Sequence, residues 1–170
     1  MDLRRFIRDV PDFPKKGIVF KDITPLLQDG QALRVALERL AERFQGRGIT
    51  KVLGIESRGY IFAPAIAVSL AAGFVPARKP GKLPWKTAGE EYALEYGTDR
   101  LEIHVDALAP GEKVLIVDDL LATGGTASAA RRLAERLHAE VIGAGFLVEL
   151  LALEGRARLP GIDVVSLIQY

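Results

Sequence analysis

The 170-residue chain contains no cysteine and no asparagine, a single methionine and a single tryptophan. Without cysteine there is no disulfide framework, no thiolate nucleophile and no cysteine-based zinc site, and the cytoplasm is the default compartment. Histidine is nearly as scarce. His104 and His138 lie far apart with no ligand spacing around either, so both read as surface residues rather than metal ligands or bases. Charge of one sign is not in excess: 23 Lys and Arg stand against 22 Asp and Glu. That balance gives no general attraction to nucleic acid or to a membrane surface. No uncharged apolar run approaches the ~18 residues that mark a membrane span. The start, Met1-Asp2-Leu3-Arg4-Arg5, lacks the apolar centre of a secretion signal. Loss of thermolabile residues accompanies heat adaptation, but GC-rich coding leaves the same mark, so the missing asparagine decides nothing.

What is present is ordinary for a globular protein, with 49% hydrophobic and 26% charged residues. The length suits one domain over residues 1–170. The most informative stretch is Val114-Leu115-Ile116-Val117-Asp118-Asp119-Leu120-Leu121-Ala122-Thr123-Gly124-Gly125-Thr126. Its first four residues read as a short parallel strand buried on both faces. Asp118 and Asp119 then stand at the carboxyl end of that strand, where open α/β sheets bind ligands. Ala122, Thr123, Gly124, Gly125 and Thr126 form a small, hydroxyl-bearing loop opening a helix, which suits a phosphate held by backbone N–H groups. Carboxylates beside a phosphate cradle suit a sugar phosphate. The bland alternative is a strand, a turn and a capped helix with solvated acids. No Gly-Lys-Ser/Thr follows and no G-x-G-x-x-G is present, which sets aside the Walker and dinucleotide loops.

Elsewhere the pattern alternates between strand and helix. Residues 1–10 read as a short amphipathic helix with Leu3, Phe6, Ile7 and Val10 on one face. Residues 12–27 form an irregular apolar turn with Phe20 at its tip. A helix over 31–44 and a strand over 51–55 follow. Glu56-Ser57-Arg58-Gly59 then leads into an apolar helix over 60–72. There Arg58 either binds an anion bidentately or pairs with Glu56. After a strand over 74–78, residues 79–91 read as a long loop, too irregular for strand or helix. Loops of that length are usually lids or disordered. Its cations are Lys79, Lys82 and Lys86, with Arg78 just before them, and Trp85 reads as a packing anchor. Residues 92–105 read as a β-hairpin turning at Gly97-Thr98-Asp99. A helix over 125–137, a strand over 140–150, a short polar connection and a last strand over 163–168 complete the chain. The alternation argues an α/β fold with an open, mainly parallel twisted sheet flanked by helices.

Residues 114–126 resemble the phosphoribosyl pyrophosphate (PRPP) motif of the type I phosphoribosyltransferases. Residues 12–27 resemble the base-binding hood of the adenine phosphoribosyltransferase family, and Leu94-Glu95-Tyr96-Gly97 matches the end of that family's flexible loop residue for residue. The resemblance implies the type I phosphoribosyltransferase fold, with an N-terminal hood over about residues 1–30 and a flexible loop and β-hairpin flap over about 79–105. It implies adenine binding by Val19, Phe20 and Lys21, although Lys21 stands where several relatives carry Arg and loses the planar fork. Pyrophosphate would be met by Ser57 and Arg58, with Lys79 and Lys82 assisting. Asp118 and Asp119 would hold the ribose, and residues 122–126 the 5′-phosphate. Glu95 would handle the purine proton and Tyr96 would help close the lid. Also implied are Mg²⁺ as cofactor, held mainly by PRPP and water, and a homodimer. The expected reaction is adenine plus PRPP giving AMP and pyrophosphate. A phosphoribosyltransferase for a 6-oxo purine and a PRPP-sensing regulator of the same fold remain the alternatives.

Overall fold

The computed structural model describes residues 1–93 and 97–170. Its centre is a five-stranded parallel sheet of β3 (Lys51–Ile55), β4 (Gly73–Ala77), β7 (Lys113–Leu121), β8 (Glu140–Glu149) and β9 (Asp163–Gln169), in the order β4-β3-β7-β8-β9. Two antiparallel pairs flank it. One is β1 (Arg8–Pro11) with β2 (Val19–Asp22), and the other is β5 (Thr87–Ala93) with β6 (Thr98–His104). The helices are α1 (Thr24–Gln28), α2 (Gly30–Glu42), α3 (Gly59–Ser69) and α4 (Gly125–Arg136).

The central strands are apolar on both sides because both faces are covered. Leu53, Val114 and Ile116 pack towards α4 and the β5–β6 hairpin. Their neighbours Val52, Leu115 and Val117 pack towards α2 and α3. This alternation follows from the period of two along a strand. From β3 the chain crosses through α3 to β4 on one side; from β7 it crosses through α4 to β8 on the other. Between β3 and β7 the winding therefore changes direction, and a crevice opens at the carboxyl ends of these two strands.

Five elements differ from the sequence expectation. The stretch 12–27, expected as an irregular turn, holds strand Val19–Asp22 and helix Thr24–Gln28, and Thr98 and Asp99, expected in a hairpin turn, pair with Ala93 and Tyr92 as the start of β6. Residues 1–10 are not a helix: Leu3–Phe6 is a 3₁₀ turn capped by Asp2, and Arg8–Pro11 is a strand. Val10 pairs with Phe20 there, so tertiary pairing overrides a helical spacing that only four apolar residues support. The lid loop is shorter than expected, since Thr87–Ala93 is strand. Arg132 and Arg136 of α4 hold this strand through Glu90, and Arg136 also donates to the Gly89 carbonyl at 2.7 Å. Finally, β7 does not end before the acids. Pairing with β8 carries it through Asp118 to Leu121.

Candidate active site

The site is assembled where β3 and β7 deliver their loops to the same edge. Gly59, the first residue of α3, lies so close to β7 that a Cβ there would stand 2.8 Å from the Val117 carbonyl oxygen and 3.0 Å from Asp118 Oδ1. Only glycine permits this approach, and it sets Arg58 beside the acid pair. Arg58 Nε lies 3.0 Å from Asp119 Oδ2. The alternative partner, Glu56, is instead taken by Arg78 through two hydrogen bonds of 3.1 and 3.2 Å. Arg58 thus serves the acid pair, and Arg78 fixes the loop by its first residue.

Asp119 is only 3% exposed, and Asp118 is part-buried beside it. Burial raises the Asp118 carboxyl well above the ordinary range, and the adjacent Asp119 charge adds to this. Asp119 is also raised by burial, with the Arg58 guanidinium opposing. Two acids are held here against their solvation preference, a pattern that clusters at functional sites. Oxygens that accept from sugar hydroxyls or meet a cation would relieve that cost.

Beyond the acids the loop turns into α4. A cavity of about 80 Å³ is lined by Asp118, Leu120 and residues 121–127, which include Ala122, Thr123, Gly124, Gly125 and Thr126. Gly124 caps the helix at φ +79°, in the left-handed region. The twelve-residue α4 carries no acid in its first turn, so its N-terminal N–H groups meet no competing charge.

No residue pattern marked the wall behind this loop. A Cβ on Gly124 would meet the Gly155 carbonyl oxygen at 2.4 Å, and one on Gly155 would meet the Ala122 carbonyl oxygen at 2.3 Å. The 3₁₀ turn Gly155–Arg158 is therefore pressed against the 122–126 loop. It is pinned by Arg156, which donates twice at 2.7 Å to Glu149, a carboxylate only 2% exposed. Burial would raise the Glu149 pKa, but its bonds to Arg156, Ser166 and Gln169 outweigh this and hold it low. The available signal was topological: the chain leaving β8 must emerge beside the chain leaving β7.

The β1–β2 pair lies against the other side of the crevice. Phe13 and Phe20 meet edge to face with centroids 5.1 Å apart. With Val10 and Asp22 they line an apolar cleft of about 260 Å³. Val19, next to Phe20 in β2, is half exposed. The Arg58 guanidinium carbon lies 5.3 Å from the Phe20 ring centroid. Arg58 therefore lies between the acid pair and the Phe20 ring of β2. Lys21 turns away from this cleft, bonding Asp9 at 2.7 Å and lying 3.8 Å from the Tyr170 ring centroid.

Of the remaining expected residues, Ser57 is exposed in the loop before α3. Lys79 bonds Asp99 and the Tyr92 hydroxyl across the flap, while Lys82 is exposed. Glu95 and Tyr96 lie outside the described residues. Trp85 is 62% exposed and not a packing anchor. His104 is half-buried and accepts from the Trp85 N–H at 3.3 Å. Among the described residues no group of three or more acids or histidines forms a metal cage, and no helix is long and apolar enough to cross a membrane.

An acid pair, an anion loop and an apolar cleft around the switch point of a parallel sheet define a phosphoribosyl transferase domain, and the model of that family matches residues 24–166. The chain is 60% identical over its whole length, and that of its relative, to the adenine phosphoribosyltransferase of Symbiobacterium thermophilum. It is 58% identical to that of Thermotoga maritima, covering all of this chain and 98% of the other. Among solved structures, the adenine phosphoribosyltransferase of Thermoanaerobacter pseudethanolicus superposes with a TM-score of 0.96 at 52% identity, covering 99% and 98% of the two chains. The Saccharomyces cerevisiae enzyme, complexed with adenine and an imino-altritol bisphosphate, gives 0.91 at 39% identity over 96% and 95%. The chain belongs to the adenine phosphoribosyltransferase family.

Proposed function

We propose that the chain transfers the 5-phosphoribosyl group of PRPP to N9 of adenine, giving AMP and pyrophosphate in purine salvage. Arg58 carries this reading: one guanidinium spans the acid pair and the hood aromatic, so ribose and base sites adjoin. In this reading Asp118 and Asp119 accept from the ribose hydroxyls, and residues 122–126 hold the 5′-phosphate on the α4 N-terminus. Phe20 stacks on adenine and the Val19 backbone reads its edge. As pyrophosphate leaves, carbon 1′ gains positive character, and rate enhancement comes mainly from positioning and charge stabilisation. Ser57, Arg58, Lys79 and Lys82 receive the leaving pyrophosphate. Mg²⁺, bound mainly by PRPP oxygens and water with Asp118 and Asp119 nearby, would neutralise that leaving group. N9 attacks from the opposite face with inversion, and Glu95 manages the purine proton. Incubation with adenine, PRPP and Mg²⁺ should yield AMP and pyrophosphate in equal amounts; absence of both overturns the proposal.

The same reading includes a cytoplasmic homodimer built on α3. Its sequence from Gly59 to Ser69 contains no charged residue. Ile61 and Val68, two helical turns apart on one face, are 41% and 82% exposed. An uncharged helix beside the β4 sheet edge suits burial against a second copy.

A further inference from the structure

The phosphate loop, residues 122–126, contains neither Lys nor Arg. Arg58, the cation of the neighbouring loop, faces Asp119 and the Phe20 ring rather than this loop. A phosphate dianion held here would be met by backbone dipoles and hydroxyls alone. The 3₁₀ turn Gly155–Arg158 supplies what the loop lacks. Side chains three residues apart eclipse in a 3₁₀ turn, so Arg158 projects on the side of Gly155, the side pressed on the loop. The geometry agrees: Arg158 Nη1 lies 3.8 Å from where a Gly125 Cβ would stand, at the first residue of α4. Arg158 is exposed, and among the described residues no hydrogen bond or ion pair engages it. Its backbone is nevertheless fixed. Arg156 is tied to Glu149, to the Val164 carbonyl at 2.6 Å and to Ser166 Oγ at 3.1 Å. Leu150 N–H donates to the Leu121 carbonyl at 2.9 Å, joining the two strand ends.

We propose that Arg158 is a further substrate-binding residue, donating to the 5′-phosphate of the phosphoribosyl group from beside the α4 N-terminus. The Glu149–Arg156 pair is its positioning support. This rests on the phosphoribosyl-transfer reading and adds a cationic donor to that site. A guanidinium with no partner among the described residues, on an anchored turn beside a loop that carries no cation of its own, is arranged for a charge-assisted contact.

Titration calorimetry of AMP, ribose 5-phosphate and adenine against the full-length protein and its Arg158→Ala and Arg158→Lys variants tests this. Loss of a charge-assisted hydrogen bond corresponds to about 10- to 100-fold in affinity. Arg158→Ala should weaken AMP and ribose 5-phosphate by that factor and leave adenine unchanged, with Arg158→Lys in between. Unchanged AMP affinity in Arg158→Ala, or an equal loss for AMP and adenine, overturns the assignment. A wild-type protein that binds no AMP overturns the phosphoribosyl-transfer reading itself, and the Arg158 role with it.

Discussion

Replacing Gly124 with alanine should separate the function proposed for the 122–126 loop from general stability. Gly124 sits at φ +79°, and a Cβ added there meets the Gly155 carbonyl oxygen at 2.4 Å. The left-handed conformation alone costs a non-glycine residue roughly 1–2 kcal/mol. The contact adds more, because restoring van der Waals distance needs a shift of about 1 Å, and misplacement on that scale costs on the order of 10²-fold in rate. Gly155 cannot yield easily, since Arg156 is locked to the buried Glu149. The 122–126 loop must move instead. Gly161 is the internal control: its φ is +76°, but nothing lies within 4 Å of the Cβ position. Gly161→Ala therefore carries the conformational cost without the clash. Urea unfolding should show both variants destabilised, by roughly 1–2 kcal/mol in Gly161→Ala. Initial rates at varied PRPP should show a kcat/KM loss of about 100-fold in Gly124→Ala alone. Equal PRPP kcat/KM in the two variants would refute the link between the Gly155 wall and the loop.

Three further outcomes are expected. Asp118→Asn removes a carboxylate whose pKa is raised in the folded state, chiefly by burial. The wild type holds this group's stabilisation below its unfolded value and loses it as pH rises through the raised pKa. Asp118→Asn should thus melt above wild type near neutral pH, with the gap closing towards pH ~4, while PRPP affinity falls about 10- to 100-fold; a lower melting temperature at neutral pH would contradict this. Glu95→Gln should cut kcat by about 10²- to 10⁴-fold with PRPP affinity nearly unchanged, and an unaltered kcat removes Glu95 from catalysis. Val68→Asp places a charge on the exposed face of α3: sedimentation velocity should find wild type dimeric, as proposed, and the variant monomeric; a dimeric variant moves the interface elsewhere, and a monomeric wild type overturns the dimer.

The sheet was legible from sequence because its strands are short β-branched runs bounded by glycine or charge. Lys51–Ile55 is an example, and its apolar residues serve two covered faces. Less legible were elements held by distant partners. Gly89, Glu90 and Glu91 are poor strand formers, yet they lie in β5 through pairing with β6 and through Arg132 and Arg136 of α4. Likewise Arg8–Pro11 is strand because β2 returns beside it. The acid pair and phosphate loop announced themselves as one contiguous segment. Their supports did not: Glu149, Gly155 and Arg158 lie far along the chain and reach the loop only because β8 runs parallel to β7. The pairing of Arg58 with Asp119 rather than Glu56 follows from the same sheet order, which brings the β3 and β7 loops to one edge.

The central claim is that this crevice joins PRPP to adenine in preference to other bases. The most direct measurement is a single reaction with PRPP and Mg²⁺ offered adenine, guanine, hypoxanthine and orotate in equal amounts, with nucleotide products resolved by mass. AMP as the dominant product, lost when adenine is omitted, is the predicted result. Dominant GMP or IMP would contradict the hood assignment, and binding of PRPP without any nucleotide product would contradict catalysis itself.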